Sequence, residues 1–256
     1  MLTAITRQVS PSINKCELTH LERQPIDFEL AGKQHEKYEE VLRSLGVKLI
    51  SLPVETELPD SVFVEDIAIV LDEIGVITRP GADSRRPEIP SIAAALSQFR
   101  KLGYLKEPAT MDGGDVLVVG KTIYVGLSSR SNQKAVAQLQ NILNPFGYSV
   151  KEVEIHGCLH LKSGVTRVAE HTLLINPKWV EKKYFPGLGF IEIDPSEPFA
   201  ANALLIRKTV VVSDFFPNTH ARLESTGIKV ISVDVGELAK AEGAVTCCSL
   251  VFNSLS

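Results

Sequence analysis

Apolar and polar positions along the chain fall into a unit that returns at least four times: two β-rich runs joined by a tight polar turn, a helical stretch, then a single strand. The hairpins read VFVEDIAIVLDEIGVITRPG (62–81), DVLVVGKTIYVG (115–126), GVTRVAEHTLLINP (164–177) and ANALLIRKTVVVS (201–213). Each is rich in Val and Ile and bounded by turn residues, the composition of paired strands. Residues 86–103 and 131–147 place apolar side chains at i, i+3 and i+4 before a closing glycine, which predicts helices, with Ser131 as the N-cap of the second. After the third hairpin the pattern predicts a shorter helix. Single strands are predicted at 47–53, 150–155 and 228–235.

Successive units start roughly 40 to 50 residues apart, the interval of radially arranged or stacked modules. The first apolar run, LTAITRQVS (2–10), has no strand before it, and the last, VTCCSLVF (245–252), has none after it. Pairing the two completes a fifth hairpin from the chain's own ends and leaves no dangling sheet edge. The expected fold is therefore α/β, a closed ring of five ββαβ modules forming one domain over 1–256. An open α/β sheet with a mixed edge is the alternative.

Composition narrows the partners. The 256 residues are 44% apolar and 23% charged, ordinary for a globular chain, and the formal net charge of −4 comes without any basic run. A nucleic-acid or anionic-membrane role therefore lacks its electrostatic footprint. No stretch of roughly 18 apolar residues and no leader-like start is present, so the expected address is cytoplasmic. Four cysteines, Cys16, Cys158, Cys247 and Cys248, are too few and too irregular for a disulfide framework. Cys158 and His160 form an isolated C-x-H, short of the ligands a metal site needs.

Ring closure would bring the hairpin starts onto one central channel, and those starts carry polar residues. Glu65 and Asp66 sit inside FVEDIA, Asp112 and Asp115 in MDGGDVL, His160 in CLHLKS, and Cys247 in TCCS. Read as a strand, the Glu65–Asp66 doublet points to opposite faces, so at least one carboxylate faces the interior and needs a cation there. Cys247 and Cys248, consecutive on a strand, would likewise face opposite ways. A thiol, an imidazole and carboxylates gathered from different modules meet the needs of nucleophilic catalysis: a thiolate, a general acid/base and a group to orient the base. The carboxylates also favour a cationic substrate, whose charge would lower the thiol pKa on binding.

The segments LPDSVFVEDIAIV, TRPGADSRRPE, MDGGDVLVVG, VGLSSRSNQ, LHLKSG and GAVTCCS closely resemble the dimethylarginine dimethylaminohydrolase family of the guanidino-group-modifying superfamily. The resemblance implies a five-bladed ββαβ propeller without cofactor or metal. It implies Cys247 as nucleophile, His160 as general acid/base and Asp112 as the group orienting the histidine. Glu65 and Asp66 match the acids around the guanidinium. Asp60, Arg85 and Arg130 match polar residues contacting the amino-acid end of the substrate. Leu18 and Ala241 match positions whose backbone carbonyls lie near the substrate amine. The implied partner is a small molecule, a methylated arginine, hydrolysed to citrulline, and a homodimer is left open.

Glu242 departs from relatives that carry Asp there. Arginine deiminases, which share the chemistry, have longer chains, an acid where this chain has Lys162, and glutamate where it has Asp112. A propeller that binds arginine derivatives without turnover is a further alternative. The polar segment 18–34 is expected to act as a lid.

Overall fold

The computed structural model describes residues 1–254. Strand β1 (Leu2–Arg7) leads through a loop to helix α1 (Phe28–Ser44) and strand β2 (Lys48–Leu52). The second module holds β3 (Ala68–Val70), β4 (Gly75–Ile77), α2 (Ile89–Ser97) and β5 (Leu102–Tyr104). The third holds β6 (Val116–Val119), β7 (Thr122–Leu127), α3 (Gln133–Leu143) and β8 (Ser149–Glu154). A short helix α4 (Leu161–Gly164) opens the fourth, with β9 (Val165–Ala169), β10 (Thr172–Ile175) and β11 (Gly189–Glu192). The fifth comprises β12 (Leu204–Ile206), β13 (Thr209–Ser213), α5 (Pro217–Ser225) and β14 (Lys229–Val233), after which α6 (Gly236–Ala239) leads to β15 (Leu250–Asn253).

These strands make five three-stranded sheets in a propeller-like arrangement. In every sheet the middle strand pairs antiparallel with one neighbour and parallel with the other. The chain ends supply the fifth hairpin as expected: β15 lies antiparallel to β1, with Leu2 opposite Asn253 and Ile5 opposite Leu250. Five apolar clusters fill the spaces between modules, each drawing on two of them. Ile5 and Leu250 pack with Ile67 and Ile77, Val76 with Ile123, Leu117 with Leu173, Leu174 with Val210, and Val211 with Ala4. Burial of this kind is the main force holding modules together, at about 25 cal/mol per Å² of apolar surface. Among the described residues no helix is long and apolar enough to cross a membrane.

Several local expectations are corrected. The segment Val64–Ile67 is a 3-10 turn ahead of β3, so Glu65 and Asp66 are not strand residues, although both are buried. Cys247 and Cys248 lie in a turn, and only from Leu250 does the chain become strand. Asn132, not Ser131, caps α3, its side chain accepting from Ala135 N–H at 2.9 Å; Ser131 is drawn inward instead. The helix expected over 86–103 is confined to α2, because Asp83–Glu88 is a 3-10 turn and Gly103 pairs with Val76 in β5. The helix after the third hairpin shrinks to one 3-10 turn, Lys182–Tyr184. Finally, only the first part of segment 18–34 is loop, since α1 begins at Phe28, capped by Asp27, which accepts from Leu30 N–H at 3.0 Å.

Candidate active site

Two turns and a short helix present the chemistry. The 3-10 turn Val64–Ile67 brings Asp66 inward, the 3-10 turn Gly113–Asp115 follows Asp112, and His160 is the residue before α4. The second turn requires its glycines. A Cβ on Gly114 would lie 2.5 Å from His160 Nδ1 and 2.9 Å from Asp66 Oδ1, and one on Gly113 would collide with the Glu65 carbonyl. The loss of side chains there is what allows three elements to meet.

His160 Nε2 lies 3.2 Å from Asp112 Oδ2, and its Nδ1 lies 3.9 Å from Asp66 Oδ1. Asp112 is fixed from the other side by Gly81 N–H, which donates to Oδ1 at 2.8 Å. Asp66 accepts from Gly114 N–H at 2.9 Å and from Arg85 Nη1 at 2.5 Å. Burial alone would pull the imidazole pKa down, but the Asp66 charge, the Asp112 hydrogen bond and the charge of Asp115 outweigh it and raise it to about 9. The resting imidazole is therefore an imidazolium at neutral pH. Asp66, although fully enclosed, is held below the usual carboxylate range, because His160 and Arg85 together overcome its desolvation.

Cys247 is 8% exposed and borders a cavity of about 30 Å³ with His160, Asp66, Asp112 and Asp60. Arg85, Arg130 and Ala241 line the same cavity, as do Glu17, Phe63, Leu159, Glu242 and Gly243. Burial, then the charges of Glu65 and Asp66, push the Cys247 thiol above its ordinary pKa, so it rests protonated. Cys248 is fully buried away from this cavity, its Sγ donating to the Ala244 carbonyl at 3.5 Å. Of the two adjacent thiols, only Cys247 borders that cavity.

Two expected residues stand outside that lining. Leu18 follows Glu17 in the loop before α1 and packs on the apolar cluster between the first and fifth modules. Glu65 faces a separate cavity of about 710 Å³, where Lys162 Nζ donates to its Oε1 at 2.6 Å and Thr246 Oγ1 to its Oε2 at 2.8 Å. Burial raises the Glu65 pKa, offset in part by Lys162. Its backbone N–H also donates to the Cys247 carbonyl at 3.1 Å, so Glu65 grips the turn that bears the thiol.

Arg85 is spoken for. Its Nε and Nη2 donate to Glu88 at 3.0 and 2.8 Å, Nη1 to Asp66, and Nη2 also to the Phe63 and Asp60 carbonyls at 2.9 and 3.1 Å. Arg130 is more open, with Nη2 donating to Thr19 Oγ1 at 3.0 Å. Asp60 takes the Glu17 N–H on its carboxylate at 3.1 Å.

Sequence reasoning missed the support beneath these groups. Asp115, wholly buried, accepts from Ser128 and Ser131 hydroxyls at 2.6 Å each and from Leu161 N–H at 2.9 Å, next to His160. Ser131 Oγ in turn accepts from Asp112 N–H at 3.2 Å. Burial lifts the Asp115 pKa to about 6 against these hydrogen bonds and the charge of His160. Its place as the second acid of DGGD was the only signal. Asp66, Asp112 and His160 also bring ligand atoms within 4.8 Å of one another, close enough to share a cation. The guanidinium of Arg85 on Asp66 already supplies positive charge there.

Comparison with known proteins gives the family. Residues 6–184 match the family model described as N,N dimethylarginine dimethylhydrolase, eukaryotic. An N(G),N(G)-dimethylarginine dimethylaminohydrolase of Streptomyces coelicolor is 37% identical over 254 residues, 98% of this chain and 97% of that protein. The Pseudomonas aeruginosa protein of the same name is 35% identical over 228 residues, 88% of this chain and 90% of its own. The structure of a cysteine-to-serine mutant of the Pseudomonas aeruginosa protein, complexed with citrulline, superposes with a TM-score of 0.93 at 33% identity, covering 98% of each chain. With a family model spanning most of the sequence and relatives this similar along nearly its whole length, the chain belongs to the dimethylarginine dimethylaminohydrolase family.

Proposed function

We propose that this protein hydrolyses N-omega-methylated L-arginines, asymmetric dimethylarginine and monomethylarginine, to L-citrulline and dimethylamine or methylamine, through a covalent adduct on Cys247. The observation that carries the reading is the convergence of Cys247, His160, Asp112 and Asp66 on one small cavity in a chain of this family. The five modules close into a ring and act as one catalytic unit, a reading supported by the β1–β15 pairing and by apolar clusters linking each module to the next.

The resting charges give the order of events. Cys247 starts as a thiol and His160 as an imidazolium. A guanidinium entering beside Asp66 brings positive charge to the sulfur, lowers its pKa, and the thiol proton leaves to solvent. The thiolate attacks the guanidinium carbon, forming a C–S bond and a tetrahedral adduct. His160 gives its proton to the methylated nitrogen, the C–N bond breaks, and the amine departs, leaving a thiouronium on the sulfur. His160, now neutral, takes a proton from water as the C–O bond forms; the C–S bond then breaks, the hydroxyl proton passes to the departing Cys247 sulfur to restore the thiol, and the ureido group of citrulline remains. Asp112 keeps the imidazole in place throughout.

At the other end of the substrate, Arg130 suits the carboxylate, while Asp60 and the carbonyls of Leu18 and Ala241 suit the ammonium. Arg85 acts through Asp66, and Glu65 through the Thr246–Cys247 turn. The test is product analysis of the purified protein with asymmetric dimethylarginine: stoichiometric citrulline and dimethylamine are expected. Ammonia released from arginine at a higher kcat/KM would overturn the assignment in favour of a deiminase.

A further inference from the structure

The loop between β1 and α1 is tied to residues that line the small cavity. Ser84 Oγ donates to Glu17 Oε1 at 2.6 Å, and Glu17 and Thr19 are held by Asp60 and Arg130 as described. The densest tie comes from Glu242, which lines the same cavity. Its carboxylate accepts from three consecutive backbone amides: Thr19 N–H at 3.0 Å, His20 N–H at 2.6 Å and Leu21 N–H at 2.7 Å. Successive N–H groups converging on a carboxylate form a backbone anion site, here filled by the chain's own side chain.

The backbone around Glu242 is shaped for this contact. Glu242 has φ = +58°, the left-handed region that a residue with a Cβ enters at a cost. The next residue has to be glycine, because a Cβ on Gly243 would run into the Phe63 ring. A turn that accepts strain in order to aim one carboxylate at a loop is a sign that the contact has a use. The small cavity beneath has about 30 Å³. Glu17, from this loop, and Glu242 both line that cavity, so the tie between their segments forms part of its wall.

We infer that Glu242 is a positioning residue that draws the loop carrying Leu18 down over the bound substrate, by exchanging solvent for the three amides of Thr19 to Leu21. The kinetic side of this inference rests on the methylarginine reading; the loop contact itself does not. Glu242→Gly separates side chain from backbone, since glycine adopts φ near +60° freely, so the turn persists and only the carboxylate is lost.

The experiment is amide hydrogen exchange on the full chain, paired with steady-state kinetics on asymmetric dimethylarginine. In Glu242→Gly, exchange at residues 19–21 should quicken by at least about tenfold while residues 243–248 keep their protection. KM should rise about tenfold, with a much smaller change in kcat, the pattern of lost binding rather than lost chemistry. Glu242→Gln, which keeps an acceptor oxygen without the charge, should fall between. Unchanged exchange at 19–21, or faster exchange spread evenly over the protein, would overturn the inference. A wild-type protein inactive on methylated arginines would sink the functional reading, while the exchange result would still decide the loop contact.

Discussion

Gly114→Ala tests whether the approach of His160 to Asp66 matters to turnover. Gly114 is not in the left-handed region, so alanine meets no backbone objection and only space opposes it. The added Cβ would sit 2.5 Å from His160 Nδ1, against an ordinary contact of 3.4 Å or more, so the imidazole must retreat by about 0.9 Å. The second near contact, 2.9 Å to Asp66 Oδ1, blocks relief in that direction, and Asp66 is itself pinned by Arg85. A misplacement of about 1 Å in a catalytic group costs on the order of 100-fold in rate, or about 2.7 kcal/mol of activation free energy. Overpacking should also remove about 1–3 kcal/mol of stability. Citrulline formation from asymmetric dimethylarginine, with circular dichroism and thermal melting on the same sample, separates the two effects. Gly32→Ala is the matched control: inside α1 with nothing within 4 Å of its added Cβ, it should leave turnover intact and add up to about 1 kcal/mol of stability. A folded Gly114→Ala protein turning over within about threefold of wild type would refute the geometry.

Further outcomes follow from the same contacts. Cys247→Ser should abolish turnover and labelling by a haloacetamidine, whereas Cys248→Ser, away from the cavity, should keep activity and cost about 1 kcal/mol of packing in a denaturant titration. Because His160 titrates near 9 and serves as the acid in its protonated form, kcat should fall as pH rises through about 9. Asp112→Asn removes a group that raises this pKa, so the descending limb of the pH–rate profile should move to lower pH and kcat should drop by about 100-fold or more. Lys162→Met leaves the Glu65 carboxylate enclosed without its cation and should cost about 3 kcal/mol, near 10 °C in melting temperature. The double variant with Glu65→Gln should recover most of that loss; if the single variant melts like wild type, the pair has no structural weight.

The repeating modules were legible because strands with one buried face announce themselves by Val and Ile runs between turns, and the orphan runs at 2–10 and 245–252 had only each other to pair with. Helix α1 was not, because its inward face includes Gln34, His35 and Glu39 among Ala31, Tyr38 and Leu42, which breaks the apolar stripe a reader looks for. Glu65 and Asp66 were recognised as buried acids, but a 3-10 turn and a strand look alike over four residues, so the reason they part company lay elsewhere. Strand alternation said only that Cys247 and Cys248 face opposite ways, and the family resemblance chose between them, yet both lie in a turn before β15. The commitment of Arg85 to Glu88 and Asp66, and the Glu65–Lys162 pair, depend on contacts between distant segments, for which the local sequence holds no sign.

The pairing of β15 with β1 has a consequence for synthesis. Cys247 stands just ahead of β15, and that strand pairs with residues made some 250 positions earlier, as Leu2 meets Asn253. The turn bearing the sulfur is gripped by Glu65 on one side, while on the other it runs into β15, so a product ending before residue 250 would lack one of the two anchors of the thiol. Activity should therefore appear during synthesis only once residues 250–253 have been made and paired with β1.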